Sequence, residues 1–290
     1  MAKRIDQQAG FSEEAAFFES GGQNVFGVLH RPLDPPAGGV VICSSIHAEF
    51  VASYRIDVAV ARALASSGVA VQRFHYRGIG HSDGETEEAT FATMREDTLA
   101  AGERLMEETG VAQVAFLGTR FGGLVAASAA AEQPPCPLAF IEPTLQAARY
   151  FRDAWRAKLV RDAKAGVATG RPGEGLADAL AQSQTIDVLG YPISRGLFES
   201  AAGRTLLNEL GDDGRPVLLV QLGRSFSVRG DVERTSGALQ DKGYDVDVQV
   251  VRDDVMWWLP PGAETERWDR RGLVGLVSGW LADELTAVPR

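Results

Sequence analysis

The sequence contains one turn whose residue types are arranged for acyl-transfer chemistry, but with the nucleophile replaced. An apolar run from Val114 leads into Gly118-Thr119-Arg120-Phe121-Gly122, and small and apolar residues follow. This is the G-x-S-x-G frame, in which a sharp strand-to-helix turn presents a serine for attack on a carbonyl. Arg120 stands at the serine position, and a guanidinium stays protonated and cannot act as a nucleophile. The turn therefore predicts a pocket that has lost its covalent chemistry.

The histidines support the same prediction. There are four, His30, His47, His75 and His81, and none of them follows the turn at residue 120. In proteins that use this turn, the catalytic histidine comes later in the chain than the nucleophile. Loss of the serine or the histidine alone costs about 10⁶ in rate in a serine protease. We therefore do not expect hydrolysis through an acyl-enzyme.

Three other residues are candidates for moving a proton. His47 and Glu49 lie in the segment Ser44–Phe50, a loop after a short buried strand, where the C-terminal ends of strands gather ligands. His47 titrates near neutrality, and Glu49 could orient it, act as the base, or balance Arg120. His75 ends the next strand and is the third candidate. The structural alternatives are a hydrogen bond from His47 to backbone and packing of His75 under the turn that follows it.

A second set of residues is predicted to bind the substrate. Arg120 could hold a carboxylate or phosphate with its forked donors, or form a structural ion pair with Glu49 or Glu142. The aromatic members of the set predict an apolar pocket for a large, partly apolar ligand. Core or interface packing is the alternative for the two tryptophans. The predicted binding residues are Ser44, Ser45, Phe50, Tyr76, Arg120, Phe121, Met256, Trp257 and Trp258.

The elements that must position these residues alternate between strands and helices. Apolar patterning predicts helices at 54–67, 90–109 and 272–285, and strands at 15–20, 24–30, 40–43, 69–74, 113–117, 138–141, 216–222 and 246–251. This alternation predicts an α/β fold with a doubly wound, mostly parallel sheet. From about residue 143 to 213 the pattern shows arginine-rich helices and no clear strand, and this stretch is too long for a simple crossover. We therefore expect a core domain of residues 1–143 and 214–290, with a helical cap inserted at 144–213.

Composition limits the kinds of partner. The 290 residues carry a formal net charge of −10, which argues against binding nucleic acid or an anionic membrane through bulk charge. Cys43 and Cys136 make neither a disulfide framework nor a zinc ligand set, Asp253 and Asp254 have no accompanying His or Cys, and no glycine-rich nucleotide loop is present. We expect no metal and no cofactor. With no apolar core of a signal peptide and no membrane-spanning run, a cytoplasmic protein is expected, of undetermined oligomeric state.

Three segments carry a family resemblance: Phe74–Gly84, which contains Arg-Gly-Ile-Gly-His-Ser-Asp-Gly, Gly118–Gly123, and Ile141-Glu142-Pro143. The chain resembles a cap-bearing α/β-hydrolase of the serine aminopeptidase type. It is also similar to the exosortase-associated hydrolases, whose elbows can carry Gly-Leu-Arg-Leu-Gly. In the family the catalytic acid and histidine follow the last two strands, where this chain has Gly223-Arg224-Ser225-Phe226 and residues 252–258. The resemblance thus implies the α/β-hydrolase fold in a member without a triad.

Three functional classes follow from this resemblance. The first is a proton-transfer catalyst, an epimerase, isomerase or lyase, which needs a base and enolate-stabilising donors but no nucleophile. A triad-less α/β-hydrolase that epimerises an aspartate in bottromycin-type peptide biosynthesis is a precedent. The second class is a non-catalytic binding or regulatory protein, and the third is a hydrolase in which His47 or Glu49 activates water. We expect the first, acting on a peptide or small natural product, and keep the other two as alternatives.

Overall fold

A nine-stranded sheet, parallel over its central and C-terminal part, forms the centre of the molecule. The computed structural model describes residues 2–167, 174–252 and 271–287. Across the sheet the order is β1-β2-β3-β5-β4-β6-β7-β10-β11, while β8 and β9 form a separate hairpin. The strands in the described parts are β1 (Ala2–Asp6), β2 (Phe11–Ser20), β3 (Gln23–Pro32), β4 (Gly38–Cys43), β5 (Val69–Phe74), β6 (Val114–Thr119), β7 (Leu138–Ile141), β8 (Thr185–Val188), β9 (Tyr191–Ser194), β10 (Pro216–Gly223) and β11 (Asp245–Arg252).

Helices cover both faces of this sheet. Alternate residues of β4 point to opposite faces, so Val40 and Ile42 pack with α1 and α9 while Val41 and Cys43 pack with α2 and α3. This two-sided burial explains why the central strands are continuous apolar runs. The predicted doubly wound α/β fold is confirmed. The helices are α1 (His47–Ser66), α2 (Phe91–Thr109), α3 (Gly122–Ala130), α4 (Ala147–Lys164), α5 (Leu176–Gln182), α6 (Arg195–Ala201), α7 (Leu206–Glu209), α8 (Gly230–Asp241) and α9 (Arg271–Thr286).

Helix α1 starts earlier than predicted, so three candidate residues lie in the helix and not in a loop. We expected a loop at Ser44–Phe50 and a helix from residue 54, but α1 begins at His47, so His47, Glu49 and Phe50 lie in its first turn. Ile46 is the N-cap and offers no side-chain hydrogen bond. Because that cap lacks the Ser, Thr, Asp or Asn that usually marks a helix start, the sequence did not reveal it. A carboxylate in the first turn, here Glu49, is favourable at the positive end of the helix dipole.

Two further elements were not predicted. The polar strand β1 adds to the edge of the sheet by pairing antiparallel with β2, with Ala2 opposite Ala15. The expectation of no strand between residues 143 and 213 is wrong, because β8 and β9 pair there across Leu189-Gly190. Both turn residues have positive φ, of 60° and 89°, as a tight two-residue hairpin turn requires.

The connection from β7 to β10, residues 142–215, is termed the crossover segment here. It contains α4 to α7 and the β8–β9 hairpin. Helix α4 packs onto the turn after β6 through aromatic side chains, and the ring of Phe121 lies 5.1 Å from that of Tyr150 and 5.9 Å from that of Phe151. The crossover segment therefore covers the C-terminal edge of the parallel strands. The domain division at 143/144 and 213/214 stays a prediction.

Candidate functional site

The turn at residue 120 has the sharp geometry expected of a nucleophile elbow. Strand β6 ends at Thr119, Arg120 has φ of +52°, and α3 begins at Gly122. A Cβ at Gly122 would lie 2.0 Å from the carbonyl oxygen of Cys43, and one at Gly118 would lie 2.4 Å from the Cα of Gly123. Both glycines are thus needed for the close approach of the backbones. A non-glycine residue held at positive φ is strained, and such strain concentrates at functional sites.

Arg120 is held by a two-pronged ion pair. Its Nε and Nη2 donate to Glu49 Oε2 and Oε1 at 3.2 and 3.1 Å, and Nη1 donates to the carbonyl oxygen of Glu142 at 3.2 Å. The side chains of Arg120 and Glu49 are only 15% and 11% exposed. Ser45 Oγ also donates to Glu49, at 2.9 Å. The ion pair with Glu49, one of the two predicted roles of Arg120, is therefore present, and it fixes the guanidinium in place.

The ion pair continues into a chain of alternating charges. Glu142 directly follows β7 and has φ of +46°. Its buried carboxylate accepts from the backbone N–H of Leu222 and from Nη1 of Arg229, the latter at 3.0 Å to both oxygens. Arg229 lies 3.4 Å from Asp231, and Asp231 accepts from Arg149 of α4 at 2.9 Å. These contacts connect the elbow to the crossover segment.

A cavity of about 690 Å³ lies over Arg120, between the elbow, α4 and α8. This volume is in the range of small-molecule sites. Three carboxylates line it, Glu142, Asp153 and Asp231, against six arginines, which gives a formal charge of +3 in a chain of net charge −10. The cavity therefore favours anions. The six arginines are Arg120, Arg149, Arg152, Arg156, Arg229 and Arg234.

A histidine and a tyrosine meet beside this cavity. His47 Nδ1 lies 3.2 Å from the hydroxyl of Tyr150, and Tyr150 lines the cavity. Burial lowers the pKa of His47 to about 4. Burial, together with the charge of Glu49, raises the pKa of Tyr150 well above its ordinary value. At neutral pH the imidazole is therefore uncharged and the phenol protonated, so the pair can pass a proton.

Tyr150 was not among the predicted site residues. Its only sequence signal is that it stands with Phe151 on the apolar side of an otherwise arginine-rich helical segment. An aromatic at such a position is usually core, and Tyr150 is indeed largely buried. Nothing in the sequence distinguished its hydroxyl, which gains its importance from His47, 103 residues away along the chain.

The structure places His75 away from the cavity. Its ring lies within 5.1 to 5.9 Å of the rings of Phe26, Phe50, Tyr54 and His81. Its Nδ1 accepts from the backbone N–H of His81 at 3.1 Å. Burial lowers the pKa of His75 to about 4. This is the predicted structural alternative, packing under the following turn, and Phe50 belongs to the same aromatic cluster.

The remaining predicted residues are buried or fall outside the described parts. Ser44 Oγ donates to the buried Asp57 at 2.7 Å, and burial raises the pKa of that aspartate to about 6. Tyr76 and Phe121 are buried in the core. The structure thus brings together His47, Glu49 and Arg120, while Ser44, Tyr76 and Phe121 are buried. Met256, Trp257 and Trp258 lie outside the described residues.

Two further triad positions can be compared with the sequence. The loop after β10 starts with Arg224-Ser225-Phe226 and offers no carboxylate. The position after β11, where a histidine would stand, falls in the stretch 253–270, outside the described residues, and the sequence has no histidine after His81. Across residues 2–167, 174–252 and 271–287, no cluster of His, Cys, Asp or Glu is arranged to hold a metal ion. No helix in these ranges has the length and apolar character of a membrane span.

Comparison with known proteins gives a family and a set of folds. The family model described as serine aminopeptidase, S33, matches residues 35–180, half of the chain. No curated protein matches the sequence.

Several solved structures have a similar fold. Est1E from Butyrivibrio proteoclasticus, bound to ferulic acid, has a TM-score of 0.65 and 17% identity, covering 94% of this chain and all of that one. An esterase from Pyrococcus furiosus has a TM-score of 0.62 and 15% identity, covering 98% and 96%. The proline iminopeptidase of Mycobacterium smegmatis has a TM-score of 0.60 and 18% identity, covering 94% and 99%. At these identities the likeness shows the α/β-hydrolase fold alone.

Proposed function

The chain belongs to the serine aminopeptidase (S33) family of α/β-hydrolase-fold proteins, and on that premise we propose that it uses its pocket for proton transfer without a covalent intermediate. The substrate is an anionic peptide or small natural product, and the reaction class is that of an epimerase, isomerase or lyase. One observation carries the proposal. The nucleophile position holds an arginine, and a neutral histidine–tyrosine pair adjoins the same cavity.

Arg120 supplies a fixed positive charge in this scheme. Glu49 holds the guanidinium on one side, and Arg120 still forms part of the cavity wall. A preorganised charge at the point where an oxyanion develops stabilises it without reorganisation. Helix α3 starts at Gly122, directly after the elbow, and its N-terminal end adds a partial positive charge at the same place. Together they would stabilise the enolate that forms when a proton leaves the carbon beside a carbonyl group.

Tyr150 and His47 move the proton. As the C–H bond of the substrate breaks, the hydroxyl oxygen of Tyr150 takes up that proton and passes its own to Nδ1 of His47. The electron pair of the C–H bond becomes the enolate. Return of a proton to another position of the enolate gives an isomer, its return to the opposite face of the same carbon gives an epimer, and departure of a group from the neighbouring carbon gives the product of a lyase. The lowered pKa of His47 makes it a weak base, so the positive charge of Arg120 must supply much of the driving force.

The test is deuterium uptake from heavy water into N-acetylated amino acids and dipeptides with free carboxylates, followed by mass spectrometry. Wild-type protein should exchange the Cα hydrogen of at least one member of the panel. Tyr150→Phe should slow that exchange by 10² or more, the usual size of a general acid–base contribution. The matched control is Tyr244→Phe, which removes another buried hydroxyl, one that donates to the carbonyl of Gly211 outside the cavity. Equal rates in the two variants, or no exchange in wild type, would refute the proposal.

A second candidate function is ligand binding without chemistry. It is favoured by the hydrogen bonds of Arg120, which Glu49 and the Glu142 carbonyl already occupy in a stable arrangement. A protein of this kind would show saturable binding with neither exchange nor hydrolysis. The third class, a hydrolase with displaced machinery, is favoured by family membership, and turnover of activated esters tests it.

A further inference from the structure

The rim of the cavity carries more positive charge than its carboxylates balance. Arg149, Arg152 and Arg156 are three and four residues apart on α4, so they share one side of the helix. All three are near the same carboxylate, Asp153, with distances of 3.6, 3.8 and 3.9 Å. Arg234 reaches the cavity from α8 and makes no ion pair with a described residue.

Apart from the 2.9 Å ion pair of Arg149 with Asp231, the rim contacts are looser than those at the elbow. Distances of 3.6 to 3.9 Å exceed those of direct hydrogen bonds, whereas Arg120 binds Glu49 at 3.1 and 3.2 Å. The side chains of Arg152 and Arg156 are 56% and 68% exposed. Their guanidinium donors can therefore turn to a ligand without breaking a strong bond.

The charge and its placement identify a class of ligand. Arg120 is already paired with Glu49, so the arginines of the cavity exceed the four carboxylates around them by two charges, and a single carboxylate would neutralise only one of these. A phosphate monoester carries about −1.5 to −2 charges at pH 7 and three acceptor oxygens. Guanidinium groups bind such oxygens in pairs. A phosphate group thus matches the excess positive charge of the arginines that line the cavity better than a carboxylate does.

We propose that the cavity binds a phosphorylated ligand, with the phosphate on Arg152, Arg156 and Arg234 at the rim and the reacting carbon near Arg120 and Tyr150. This inference rests on the proposed function in taking the cavity as the substrate site. The phosphate is a handle in this scheme, and no bond to it is made or broken. Polycarboxylates and phosphates both bind guanidinium groups, and the experiment below distinguishes the two kinds of ligand.

The experiment is isothermal titration of the full-length protein with inorganic pyrophosphate, and separately with citrate, at low salt. Pyrophosphate should bind with saturation and more tightly than citrate. The double variant Arg152→Gln/Arg156→Gln should raise the Kd for pyrophosphate at least tenfold, because it removes two exposed guanidinium groups that donate hydrogen bonds to the phosphate. The matched control, Arg55→Gln, changes an exposed helical arginine outside the cavity and should shift the Kd less than twofold.

Three results would overturn the assignment. They are the absence of saturable pyrophosphate binding, an equal loss in the Arg55→Gln control, and tighter binding of citrate, which would assign a polycarboxylate instead. Because the titration needs no turnover, its outcome is separate from the deuterium test. Pyrophosphate binding without any exchange would refute the proton-transfer function and keep the phosphate site. Deuterium exchange without pyrophosphate binding would refute the phosphate site and keep the proton-transfer function.

Discussion

At the floor of the cavity, Arg120 is largely buried and bound at 3.1 and 3.2 Å by both oxygens of Glu49. At the rim, Arg152 and Arg156 extend toward solvent and share one carboxylate at 3.8 and 3.9 Å. The same residue type thus has two roles. A buried arginine must be paired, since an uncompensated buried charge is costly, and the pairing fixes its position. Exposed arginines have little to lose by exchanging a loose contact for a ligand.

The largest effect is expected from removing the ion pair at the floor of the cavity. Glu49→Gln would leave the guanidinium of Arg120 buried without its carboxylate and should lower the free energy of unfolding by about 3–5 kcal/mol. The control is Glu132→Gln, which removes the partner of Arg95 from an exposed pair at 2.9 Å and should cost less than about 1 kcal/mol. Urea unfolding of both variants measures the difference. Equal losses in the free energy of unfolding would show that the pair of Arg120 and Glu49 contributes no more than an exposed one, which contradicts the prediction.

The second prediction concerns the dependence of stability on pH. Burial lowers the pKa of His75 to about 4, below the value near 6.5 of an unfolded histidine. Between these values the unfolded chain binds the proton more tightly, so stability falls as the pH drops from 6.5 to 4, by about 3 kcal/mol for this group. His47 acts in the same direction. Asp57, whose pKa burial raises to about 6, opposes them between pH 6 and 3.8, because the folded state then holds its proton more tightly.

Thermal unfolding from pH 7 to 4.5 measures this dependence, and it separates the buried histidines from the exposed rim of the cavity. The melting temperature should fall over this range, and less steeply in His75→Phe, whose ring suits the aromatic cluster. The matched variant at the rim, Arg152→Gln, should keep the wild-type slope, since it leaves every buried histidine and carboxylate in place. A pH profile of His75→Phe as steep as that of wild type would contradict the assignment of His75 to a buried, neutral state.

The smallest expected effect is at the rim. Arg149→Gln breaks the 2.9 Å ion pair with Asp231 that joins α4 to α8, and the arginine side chain there is mostly exposed. Surface pairs of this kind are worth about 0.2–1 kcal/mol, so the free energy of unfolding should change by no more than that. Urea unfolding beside Glu49→Gln gives the comparison. A loss as large as that of Glu49→Gln would remove the distinction between floor and rim.

Much of the fold followed from the sequence because burial leaves a pattern. The continuous apolar runs of β4, β5 and β6 and the Gly-flanked turn at Arg120 predicted a parallel sheet with an elbow. Strand β1 was missed because its residues are mostly polar, and it is held by backbone pairing with β2 and by surface ion pairs such as Lys3 with Glu14 at 3.4 Å. The β8–β9 hairpin was missed because four-residue strands give too short a pattern to separate from helix.

The site was only partly predictable for a different reason. Proximity along the chain suggested His47 with Glu49, and charge suggested the pairing of Glu49 with Arg120, which the structure shows. Tyr150 and the rim arginines depend on how the crossover segment lies over the sheet, which no local pattern records. Their one available signal was the spacing of Arg149, Arg152 and Arg156 on a single side of a helix. That pattern alone is more typical of a solvated surface.

The central claim is that this member of a hydrolase family works without a nucleophile at its elbow. The most direct test is turnover of a panel of activated esters and thioesters by pure wild-type protein, with His47→Ala in parallel. The account predicts that neither protein hydrolyses any ester above the uncatalysed rate, since residue 120 cannot form an acyl-enzyme. Robust wild-type turnover that is lost in His47→Ala would contradict it, and would mean that His47 activates water in a displaced hydrolase site.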